Sequence, residues 1–102
     1  MPTLTVLYTR PDEDADAFVE EYRTDHVAIA EQFPRMASHR TTVFSGTPRG
    51  GEAPFHVMFQ GVWDSDEDMQ AAMGDSSMME ASKHAQMMTQ KYGNTAHMLL
   101  GD

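Results

Sequence analysis

From Phe55 to Trp63 the chain carries apolar side chains on both parities. Phe55, Val57, Phe59 and Trp63 fall on one, Met58 and Val62 on the other. Successive side chains of a strand point to opposite faces. A segment of this kind therefore loses water on both faces and belongs inside a covered sheet, not on an exposed ribbon.

The elements around it are legible from their periods. Thr3 to Thr9 alternates Leu4, Val6 and Tyr8 with mostly threonine and predicts a first strand, ended by Arg10 and Pro11. Asp12, Glu13, Asp14 and Asp16 stand where a helix N-terminus favours negative charge. Ala15, Phe18, Val19, Tyr22, His26, Ile29, Ala30 and Phe33 follow at spacings of three and four, which predicts one long amphipathic helix stopped by Pro34. Residues 36–45, with Thr41, Thr42, Val43 and Phe44, read as a second strand, and residues 46–54 as a Gly- and Pro-rich loop before the third. Asp64 with Glu67, and Ser77 with Glu80, have capping-box spacing, predicting a short helix near 65–73 and a longer one near 77–91, parted at Gly74-Asp75. Met78, Ala81, Ala85, Met88 and Tyr92 form the apolar stripe of the longer helix; Gly93-Asn94 ends it and residues 95–100 form a last strand.

The order β-α-β-β-α-β over one domain, residues 1–102, is that of an α+β, ferredoxin-like fold: one antiparallel sheet with its helices on a single face. Helices on one face leave the other open, yet both parities of the strands are apolar. A second copy packed sheet to sheet is the simplest cover, so a homodimer is expected. The alternative is a monomer with one moderately apolar face.

Composition removes several classes of function. Sixteen acids against seven basic residues give a net charge of −9, which repels nucleic-acid backbones and anionic membranes. Without cysteine there is no disulfide, no thiolate nucleophile and no cysteine-based metal centre. No apolar run is long enough to span a bilayer, and the N-terminal residues have neither a basic nor an apolar leader region; a cytoplasmic protein is expected.

Leu4-Thr5-Val6-Leu7-Tyr8 with Arg10-Pro11, then Phe18-Val19-Glu20-Glu21-Tyr22-Arg23-Thr24-Asp25-His26-Val27-Ala28, then Phe33-Pro34, together resemble the EthD family, named for ethyl tert-butyl ether degradation. The family's Phe, Tyr, His and Pro fall on Phe18, Tyr22, His26 and Pro34. The chain departs from the pattern at Ala28, where the family usually has Pro, and at Arg35, where it usually has Gly. The resemblance implies a dimeric α+β barrel. It also implies a broad range of activity: accessory components of oxidative degradation, dehydratases and decarboxylases of aromatic polyketide-like compounds, and among wider relatives cofactor-free oxygenases, isomerases and haem-degrading enzymes.

His26 lies on the apolar stripe of the first helix, one turn after Tyr22 on the same side. An imidazole there suits proton transfer near neutral pH, with the phenol orienting it or polarising a carbonyl. His26 and Tyr22 are the catalytic candidates; Tyr8, Phe18, Ile29 and Trp63 are expected to line a cleft for a hydrophobic, aromatic small molecule. The expected chemistry needs no organic cofactor and no metal. The competing readings are a buried histidine that only braces the helix, a non-catalytic accessory protein of an oxidative pathway, and a haem barrel with His84 as axial ligand. His39, His56 and His97 fall on three strands without ligand-pair spacing, and solvated strand positions suit them better than a metal. Ten methionines, six of them between 69 and 88, are read as filler.

Overall fold

The computed structural model describes residues 1–102. The elements are β1 (Thr3–Tyr8), α1 (Ala15–Glu21), a π-helical turn (Tyr22–His26), α2 (Val27–Ala30), β2 (Met36–Val43), β3 (Val57–Trp63), α3 (Asp66–Met73), α4 (Ser76–Tyr92) and β4 (Ala96–Gly101). The four strands form one sheet in the order β2-β3-β1-β4, every neighbouring pair antiparallel. This is the ferredoxin-like α+β arrangement expected from the order of elements.

The strand legible on both parities is central. Leu4, Val6 and Tyr8 of β1 and Val57, Phe59, Gly61 and Trp63 of β3 face the helices and are buried. Thr3, Thr5 and Leu7 with Met58, Gln60 and Val62 form the opposite face and stay half-buried. Gly61 has a steric reason: a Cβ there would lie 3.0 Å from Met36 Sδ and 3.2 Å from the Trp63 ring. The indole is pinned in place because its Nε1–H donates to the Pro34 carbonyl at 3.0 Å, satisfying the one polar atom of a fully buried tryptophan.

The helix expected to run unbroken from residue 15 is interrupted by the π turn. Its inward residues Phe18, Tyr22, His26 and Ala30 are each four apart and all buried. At about 100° per residue, three such steps in a regular α-helix would rotate the last side chain about 120° away from the first. The wider turn, in which the Val27 N–H bonds the Tyr22 carbonyl, absorbs the excess residue and keeps all four on the sheet side. The expected capping residues also move. Ser65, not Asp64, caps α3 by accepting from Asp68 N–H, and Asp75, not Ser77, caps α4 by accepting from Ser77 N–H. In both places a neighbour in extended conformation had the better-aimed oxygen. Gly93 closes α4 at φ 71, in the left-handed region. Arg35 also sits at φ 61, in the left-handed region that favours glycine.

Candidate functional site

Three elements bring polar groups together in an otherwise apolar interior. β1 ends on Tyr8, which its parity turns inward; the π turn presents Tyr22 and His26; α4 presents His84, on the flank of its apolar stripe. The Tyr8 hydroxyl lies 3.4 Å from His26 Nε2, and His26 Nδ1 lies 3.0 Å from His84 Nδ1. The Tyr22 ring stacks on His26 at 5.1 Å between centroids, and the His84 ring, tilted by 20°, meets the edge of His26 with centroids 5.2 Å apart. Phe18 supports this from behind, edge-on to Tyr8 at 5.6 Å and to Tyr92 at 5.5 Å.

A bond between two ring nitrogens requires one to carry the proton and the other to be bare. Either Tyr8 O–H donates to Nε2 and His26 Nδ1–H donates to His84, or His84 Nδ1–H donates to His26 and Nε2–H donates to the Tyr8 oxygen. Converting the first into the second takes one proton in at the Tyr8 end and one out from His84 Nε2, so that every group stays neutral. Burial, with the neighbouring His84 charge adding to it, lowers the pKa of His26 to about 4, so the ring is neutral at pH 7. Burial pushes both the Tyr8 and Tyr22 phenols well above their ordinary range, so both stay protonated. The Tyr8–His26 distance is long for a hydrogen bond.

Beside this chain lies a cavity of about 40 Å³. β1 supplies Leu4, Val6 and Tyr8 to its wall, and β3 and β4 supply Phe59, Ala96 and Met98. The first helical segment gives His26 and Ala30, the turn after it Phe33, and α4 gives Met78, Ala81, Ser82 and Ala85. Eleven of the thirteen residues are hydrophobic, leaving the Tyr8 hydroxyl, the His26 ring and the Ser82 hydroxyl as the groups able to orient a ligand. Of the expected site residues, Tyr8 and His26 meet at the cavity. Tyr22 stands behind His26, its buried hydroxyl without a hydrogen-bond partner. Phe18, Ile29 and Trp63 do not reach the wall; Ala30 and Phe33 occupy the positions expected of Ile29, and Trp63 lies towards Pro34.

His84 was legible only as a flank residue of α4. Nothing local marks it as the partner of a histidine 58 residues earlier. Its Nδ1 is engaged by His26 and it does not line the cavity, so the arrangement does not suit an axial haem ligand. His39 and His97 lie on opposite faces of the sheet, opposite Gly61 and Leu7 respectively, and do not converge on a metal with His56. The group whose ligand atoms come within 4.8 Å of one another is Glu21, Asp25 and His84. There Glu21 already accepts from Lys91 Nζ and from the Tyr92 hydroxyl, each at 3.0 Å.

A two-layer α+β domain with a buried Tyr–His pair opening on an apolar cavity defines the class, and the solved structures sharpen it. An ethyl tert-butyl ether degradation (EthD) family protein from Bacillus halodurans superposes with a TM-score of 0.87 and 26% identity, over 100% of this chain and 97% of its own. The chain has the EthD-like fold. SnoaB, a cofactor-independent oxygenase from Streptomyces nogalater, matches with a TM-score of 0.65 over 99% of this chain and 90% of its own at 12% identity. A dimeric ferredoxin-like protein of unknown function from Thermobifida fusca matches at 0.65, over 96% and 88%, at 12% identity. No protein-family model matches the chain, and no curated protein does. The fold is thus one that a cofactor-independent oxygenase also has, and no helix is long and apolar enough to cross a membrane.

Proposed function

We propose that this protein is a cytoplasmic homodimeric enzyme that uses His26 for proton transfer on a hydrophobic, enolisable or phenolic metabolite. It would work without an organic cofactor, in a reaction of oxygenase, dehydratase or isomerase type. The observation that carries this reading is the Tyr8–His26 pair set at the wall of an apolar cavity. Tyr8, kept protonated by burial, donates to a substrate oxygen as charge grows on it, and His26 takes the adjacent proton. Tyr22 holds the imidazole plane by stacking. Met78 and Met98, flexible thioethers on the wall, can swing aside to admit a planar ligand larger than the resting volume. The homodimer is supported by β4, whose Met98, Leu99 and Leu100 are 53%, 52% and 59% exposed. The half-buried sheet face beside it points the same way.

The test is hydrogen–deuterium exchange at the α-carbon of 2-tetralone in D₂O, followed by NMR, together with oxygen uptake on 1,4-dihydroxynaphthalene. His26→Ala should lower the rate by roughly 10²–10⁴-fold, the usual weight of a positioned base. Equal rates with and without His26 would remove the catalytic reading. Saturable ligand binding without turnover in the unaltered protein would leave the accessory role in oxidative degradation, which the almost wholly apolar lining also suits.

A further inference from the structure

We propose that His84 is the relay through which His26 exchanges protons with solvent, at a mouth flanked by Asp25 and Glu21. The inference rests on His26 being the group that takes the substrate proton, and it explains how a ring in that position can do so. His26 is enclosed by Tyr8 from β1, by Tyr22 from its own turn and by His84 from α4. An imidazolium confined there has no counter-charge in contact, which is why burial lowers its pKa to about 4. A simple base of this kind would be too weak to hold a proton near neutral pH.

The 3.0 Å contact between the two Nδ1 atoms removes the difficulty. As His26 accepts a substrate proton on Nε2, it releases its Nδ1 proton to Nδ1 of His84, and His84 gives up its Nε2 proton to water or to Asp25. Each ring gains one proton and loses one; both finish neutral, in the other tautomer, and the reverse passage restores them. The positive charge is borne in transit by His84. That ring is half-exposed and has Asp25 and Glu21 within 4.8 Å, so its outer side is open to water and carboxylates. Glu21 is held by Lys91 and by the Tyr92 hydroxyl, which leaves Asp25 as the carboxylate free to receive the proton. His84 does not reach the cavity, so it is a positioning residue that acts through His26.

NMR of protein labelled with ¹⁵N-histidine tests this without a known substrate. In the unaltered protein a scalar coupling should appear across the N–H···N bond between His26 and His84; its absence overturns the relay. His84→Gln supplies an amide oxygen that accepts from His26 but has no second ring nitrogen to pass the proton on. Exchange of the His26 ring N–H with water should slow on the order of tenfold or more, and 2-tetralone exchange should slow with it. A structural role alone predicts that glutamine restores both rates, and unchanged ring-proton exchange in His84→Gln overturns the proposal. A full 2-tetralone rate in His26→Ala would instead sink the reading of His26 on which the relay depends.

Discussion

Because His26 is buried and neutral, with its pKa lowered to about 4, folding and protonation of this ring oppose each other. The unfolded chain binds the proton near pH 6.5 and the folded one near 4, so the unfolded state holds more protons between these values and stability falls as pH drops through that window. At pH 4.5 the loss attributable to this ring is about 2 kcal/mol relative to pH 7. His26→Phe should lose less stability on acidification than the unaltered protein by about that amount, read from urea unfolding at the two pH values. Equal acid sensitivity would mean the ring ionises freely in the fold. This behaviour was partly legible: Tyr22 and His26 at a spacing of four on an apolar stripe already placed the imidazole inside. Its bond to His84 was not, since it joins residues on two helices whose crossing no local pattern encodes.

Helices and strands were legible to within a few residues because their signals are local periods. What the periods missed were places where one residue too many or one atom too few had to be accommodated. Four inward residues at uniform spacings of four forced the π turn. The signal lies in the angular drift of about 40° that each spacing of four adds in a regular α-helix. Gly61, in the middle of the strongest strand, is the other case: its missing Cβ makes room for the Trp63 indole and Met36. Gly61→Ala should destabilise the protein by about 1–3 kcal/mol, the usual range for overpacking, because the indole is tied to Pro34 and cannot retreat. Thermal unfolding measures it, and an unshifted midpoint would show that Met36 alone gives way.

The apolar parities facing away from the helices led to the expectation of a second copy. The structure places Leu7, Met58 and Val62 on that open face, with Leu99 beside them on an edge strand bare on both sides. A long apolar edge of this kind is an association hazard unless paired or covered. Leu99 makes no part of the monomer core, so Leu99→Asp should leave the domain folded and shift a dimer to monomer in sedimentation velocity. A native chain that is already monomeric at high concentration would overturn the homodimer. The charge of −9 bears on the same measurement, because it opposes association at low ionic strength and salt should strengthen the dimer.

The order of elements, the central place of the 55–63 segment, the helix face carrying Tyr22 and His26, and the conflict between one-sided helices and two-sided strands were all present in the residue order. Each follows from periodicity within a stretch of about ten to twenty residues. Tertiary packing decided which of the expected side chains reached the cavity. The cavity exists because α4 crosses the first helix beside β1, bringing Ala81, Ser82 and Ala85 against Tyr8 and His26. The same crossing sets His84 against His26, while Phe18, Ile29 and Trp63 stay off the wall. Such contacts depend on the volumes of side chains far apart in the chain, and no local period records them.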